Sequence, residues 1–76
     1  MNIDNLPEEI KERVVEVVER TVNQIDFAES DLNFLFDTWN TQIEPTEKQD
    51  INCRGCRTRV ISKLRMYVRN YRQDNP

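Results

Sequence analysis

A chain of 76 residues has room for one domain of two or three short elements, and at this size about 60–65% of the surface of the unfolded chain is buried on folding. With 37% hydrophobic and 33% charged residues it suits a small globular fold better than full disorder, and a core this small is often completed by a partner, a second copy or a metal. No apolar run approaches the roughly 20 residues that span a bilayer, and the lack of histidine removes the commonest proton carrier near neutral pH. The net charge of −3 conceals a division: residues 1–50 hold 13 acids against 4 bases, and residues 51–76 hold 7 bases against 1 acid.

The opening MNIDNLPEEI has neither a basic leader nor an apolar stretch, which points to a reducing compartment, the cytoplasm, and to thiols rather than a disulfide. Asn5 is suited to cap a helix, Pro7 to stand near its first position, and Glu8 and Glu9 to meet the positive end of its dipole. The spacing predicts a helix over 7–26. Ile10, Val14, Val17, Val18, Thr21 and Ile25 share its apolar face, and Glu9, Glu12, Glu16 and Glu19 share the other. Its valines lower helix propensity, so the helix depends on packing.

A second helix is expected over 30–42, capped by Ser30, with Leu32, Leu35, Phe36, Trp39 and Ile43 at helical spacing. These large side chains should anchor the core, with Phe34 off their face. Pro45 disfavours helix at Glu44, so EPTEKQD reads as a linker.

The third helix is expected over 51–72, with Asp50 or Asn52 as its cap and Cys53, Cys56, Val60, Leu64, Tyr67, Val68 and Tyr71 on one stripe. Arg54, Arg65, Arg69 and Arg72 lie on one flank of that stripe, and Arg59 and Lys63 on the other. Arg57 falls inside the stripe, where an unpaired charge is costly, so an acid such as Asp37 or Asp50, or an external anion, is expected to meet it. The tail QDNP should fray. The expected fold is an all-α, three-helix single domain over residues 1–76, self-associating, with an acidic N-terminal part (1–50) and a basic C-terminal helix (51–72).

CRGC admits three readings. A tetrahedral zinc site needs four ligands, and with no histidine and no second cysteine pair only a dimer sharing Cys53 and Cys56 twice, or help from a carboxylate such as Asp50, would complete it. Thiol redox chemistry also uses Cys-x-x-Cys at a helix start, where the dipole and nearby Arg54 and Arg57 lower a thiol pKa, but the parallel-sheet context of thioredoxin-like folds is missing. The reading preferred on the sequence is structural: both cysteines are small apolar core residues and no cofactor is bound. Gly55 between them tempers it, since a glycine there also suits a close approach by a partner or a metal knuckle.

The basic third helix and the neighbouring acidic surface carry the functional expectation. Several arginines on one flank can track a phosphate backbone, yet the pI of about 4.9 and the lack of a nucleic-acid recognition motif favour a protein partner over nucleic acid. No phosphate-binding glycine loop and no nucleophile–base pair is present, so no enzyme is expected. LFDTWN, the proline after it and INCRGCRTRVISKL resemble small phage-encoded helical accessory proteins with an aromatic helix, a short linker and a Cys-x2-Cys-Arg helix start, over roughly residues 32–65. The resemblance implies a small adaptor, inhibitor or virion assembly factor of the host cytoplasm or virion, with Trp39, Cys53, Cys56 and Arg57 at the matching positions.

Overall fold

The computed structural model describes residues 3–20 and 28–74. Among them the chain forms three α-helices and no strand: α1 (Glu8–Arg20), α2 (Glu29–Thr38), continued by a π-helical turn (Trp39–Ile43), and α3 (Arg54–Asp74). The all-α reading of the sequence is what the chain adopts. Thr21, Ile25 and the expected helix end at 26 lie outside the described residues.

Each helix starts differently from the sequence expectation. In α1 the Pro7 carbonyl accepts the Lys11 N–H at 2.8 Å, so Pro7 rather than Asn5 takes the cap position. A proline suits it because the missing N–H would have had no intrahelical partner. In α2 Ala28 is the cap, with no side-chain hydrogen bond, and Ser30 lies inside the first turn. α3 begins at Arg54 rather than 51, because Asp50 first builds a turn. Its side chain accepts the Asn52 N–H at 2.9 Å and its carbonyl accepts the Cys53 N–H at 3.1 Å. At its other end α3 runs on through Gln73 and Asp74, two of the four residues expected to fray.

The core draws on every element. Val14, Val15, Val17 and Val18 of α1 meet Leu32, Leu35, Phe36, Trp39 and Ile43 from the second segment and Val60, Ile61, Leu64, Tyr67 and Val68 of α3. Ile3 and Leu6, ahead of α1, complete it; Ile3 is fully buried, and the Leu6 N–H bonds the Ile3 carbonyl at 3.0 Å. Trp39 and Tyr67 stack with ring centroids 6.3 Å apart and planes within 10°. Phe34, off the main face as expected, is half-buried with the Arg13 guanidinium 4.2 Å above its ring.

The π-helical turn closes with the Glu44 N–H on the Trp39 carbonyl at 2.8 Å, an i to i−5 bond, and Glu44 then leaves helical geometry before Pro45. The linker is held to this turn. Asn40 Nδ2 donates to the Gln49 carbonyl at 2.9 Å and Asn40 Oδ1 accepts the Gln49 N–H at 2.7 Å, so one side-chain amide satisfies both backbone groups of a linker residue.

Candidate interaction surface at the α1–α3 crossing

α1 packs on α3. Glu19, near the end of α1, and Arg72, near the end of α3, form a two-point contact: Nη2 to Oε1 at 2.6 Å and Nε to Oε2 at 3.1 Å. Two turns earlier on α1, Lys11 Nζ lies 5.5 Å from the centroid of the Tyr71 ring. Adjacent residues of α3 thus meet α1 at points two turns apart, and the end of α3 lies across α1.

The Glu19–Arg72 bridge separates two open grooves. One, of about 590 Å³, has Val18 and Val68 at its floor and is walled by Glu19, Arg65, Arg69, Arg72 and Gln73. The other, on the α1 side, is lined by Glu12, Val15, Glu16, Glu19, Arg20, Tyr71 and Arg72. Three arginines stand against one glutamate in the first, whereas three glutamates and two arginines line the second. The charge division of the sequence is therefore folded into adjacent basic and acidic depressions sharing one ion pair. The Arg72 guanidinium, by hydrogen bond and by charge, holds the Glu19 carboxyl below its ordinary range.

The expected basic site is divided by the fold. Arg65, Arg69 and Arg72 come together at the groove. Arg54 and Arg57 are exposed at the opposite end of α3. Arg59 leans toward Glu47 at 4.0 Å, and Lys63 is exposed on the other flank. Among the described residues Arg57 meets no acid, neither Asp37 nor Asp50. It is exposed, and its Nε donates to the Ile51 carbonyl of the turn ahead of α3, because the late helix start turns that carbonyl toward it.

Cys53 also departs from the sequence reading. It is the cap of α3: its carbonyl accepts the Arg57 N–H at 3.0 Å and its Sγ accepts the Cys56 N–H at 3.2 Å, the bond a serine or aspartate oxygen makes at a helix start. Asp50 and Asn52, the expected caps, lie in the preceding turn. Both cysteines are free and half-buried, and only Cys56 packs against the core. The Cys56 thiol, donating toward Cys53, and the backbone N–H groups of Cys56 and Gly55 push the Cys53 thiol below the ordinary cysteine value; the same thiol contact pushes Cys56 above it. Among the described residues no group of three or more cysteine, aspartate or glutamate side chains is placed to hold a metal ion.

No protein-family model, curated protein or solved structure matches the chain. The site is therefore read from its own geometry. None of the described helices is long and apolar enough to cross a membrane.

The sequence pointed to a neighbouring acidic surface but not to the α1 residues that line the basic groove. Val18 and Glu19 complete the basic groove, and their signal was present: Val18 lies on the apolar stripe and Glu19 on the acidic one, so adjacent residues mark the boundary between the two faces.

Proposed function

We propose that the protein is a non-catalytic adaptor, inhibitor or assembly factor of the small phage-encoded kind, which binds another protein across the Glu19–Arg72 bridge. The supporting observation is the pair of grooves of opposite charge bias side by side, one with a valine floor beneath Arg65 and Arg69. The partner segment that fits carries an apolar side chain for the Val18–Val68 floor, carboxylates facing Arg65 and Arg69, and a basic residue facing Glu12 and Glu16. Such opposed charges fix the register of docking and reject wrong partners more than they add raw affinity.

A protein partner suits this surface better than nucleic acid. A phosphate backbone needs a basic tract without acids in its path, and here Glu19 occupies the centre of the surface and takes up Arg72. The test titrates the whole chain against two labelled probes at low and moderate salt: a peptide with central leucines, glutamates on one side and lysines on the other, and a single-stranded oligonucleotide. The reading predicts that the peptide binds, that replacing its leucines by serine abolishes binding, and that Arg65→Glu with Arg69→Glu weakens it at least about tenfold, or 1.4 kcal/mol. Oligonucleotide binding that falls steeply with salt, with no response to the peptide, overturns it. A stable dimer that buries the groove and excludes the peptide does so as well.

A further inference from the structure

The CRGC turn lies at the other end of α3 from the grooves, with Cys56 nine residues, or roughly 14 Å of helix, ahead of Arg65, and the proposed docking gives it no role. We propose that Cys53 and Cys56 form a thiol–disulfide exchange site for low-molecular-weight disulfides, in which Cys53 is the attacking sulfur and Cys56 the resolving one.

The assignment of roles follows from position. Cys53 occupies the cap, where its Sγ takes the Cys56 N–H at 3.2 Å and faces the positive end of the α3 dipole. The first turn of α3 carries no acid, the charge of Asp50 in the preceding turn opposes the thiolate, and the N–H groups of Gly55 and Cys56 favour it. A thiolate there is stabilised, and the thiolate is the nucleophile in exchange. Cys56 stands three residues on, with its backbone N–H on the Cys53 sulfur at 3.2 Å and its side chain packed against the core. It is within reach of Cys53 but less open to a reagent.

A Cβ built at Gly55 meets no atom within 4 Å, so packing does not require the glycine in the first turn of α3.

The exchange balances in two steps. The Cys53 thiolate attacks one sulfur of the disulfide RSSR, forming a Cys53–S–S–R bond and releasing RS⁻, which takes up a proton. Cys56 then loses its proton and its sulfur attacks Cys53 Sγ, forming the Cys53–Cys56 disulfide and releasing the second RS⁻, which is protonated in turn. Two protein thiols are oxidised, RSSR is reduced to two RSH, and no other oxidant is needed.

The test treats the reduced full chain with glutathione disulfide and follows intact mass. The wild-type chain should lose two hydrogens and retain no glutathione. Cys56→Ser should accumulate a stable mixed disulfide on Cys53, and Cys53→Ser should acquire glutathione about fivefold more slowly or worse. Serine at position 53 can keep the cap hydrogen bond, so loss of folding does not explain a slow reaction, and circular dichroism checks this. Three results would overturn the assignment: separate glutathione adducts on both cysteines with no internal disulfide, equal rates for the two serine variants, or a zinc-bound dimer inert until chelated.

Discussion

Glu19 and Arg72 are 53 positions apart in sequence and meet in a two-point ion pair that divides a basic groove from an acidic one. The pair joins the last turn of α1 to the last turns of α3, where Arg72 also complements the negative end of the α3 dipole.

The carboxyl of Glu19 is held down in the folded chain, so its contribution has a defined sign. A depressed folded pKa gives stability that is present above the unfolded value, near 4.5, and lost as pH falls through the lower folded value. Both side chains are about half exposed, and solvent screening keeps the effect small. Urea midpoints of wild type and Glu19→Gln should differ slightly at pH 7 and converge at strongly acid pH. A gap that widens on acidification would contradict the sign.

Trp39 is buried and its indole N–H has no hydrogen-bond partner among the described residues. Its value lies in volume and in the stacking on Tyr67. Trp39→Phe removes no hydrogen bond and should cost about 1 kcal/mol, whereas Trp39→Ala should cost about 3–5 kcal/mol and leave so small a domain largely unfolded. Equilibrium denaturation of the two variants separates these outcomes.

The Asn40 clamp predicts a difference between two near-isosteric residues. Aspartate at position 40 can still accept the Gln49 N–H but cannot donate to the Gln49 carbonyl. Asn40→Asp should therefore cost about 1 kcal/mol and speed exchange of linker amides while those of α1 stay protected. Uniform loss of protection would show that the clamp holds the core and not the linker alone.

At the start of α3, Cys53→Ala should lower the urea midpoint and Cys53→Ser should not, because only a side chain that accepts the Cys56 N–H preserves the cap. Equal destabilisation by both would mean that the sulfur packs rather than caps.

How far the sequence could be read depended on whether the signal was periodic. The run Leu32, Leu35, Phe36, Trp39 and Ile43 repeats at helical spacing, and all five residues are buried. Ile3 and Leu6 were not legible, since two apolar residues in a short turn have no period to detect. Val15 and Ile61 each flank an apolar stripe and are buried because a neighbouring element covers that flank. The cap of α3 was misread because aspartate also forms a turn of its own, as Asp50 does here, and that displaced the start of α3 and the partner of Arg57 together. The arginines of α3 were identified from their positions on one helix, but their division into a groove set and a turn set depends on where α1 lies.

The most direct measurement of the central claim is amide chemical-shift mapping of the whole chain with the leucine-centred, doubly charged peptide. The account predicts shifts concentrated at Val18, Glu19, Arg65, Val68 and Arg69, with little change at Arg54, Arg57 and Arg59, and their loss in the Arg65→Glu, Arg69→Glu variant. Shifts spread along the whole basic face of α3, or none at the groove, would contradict it.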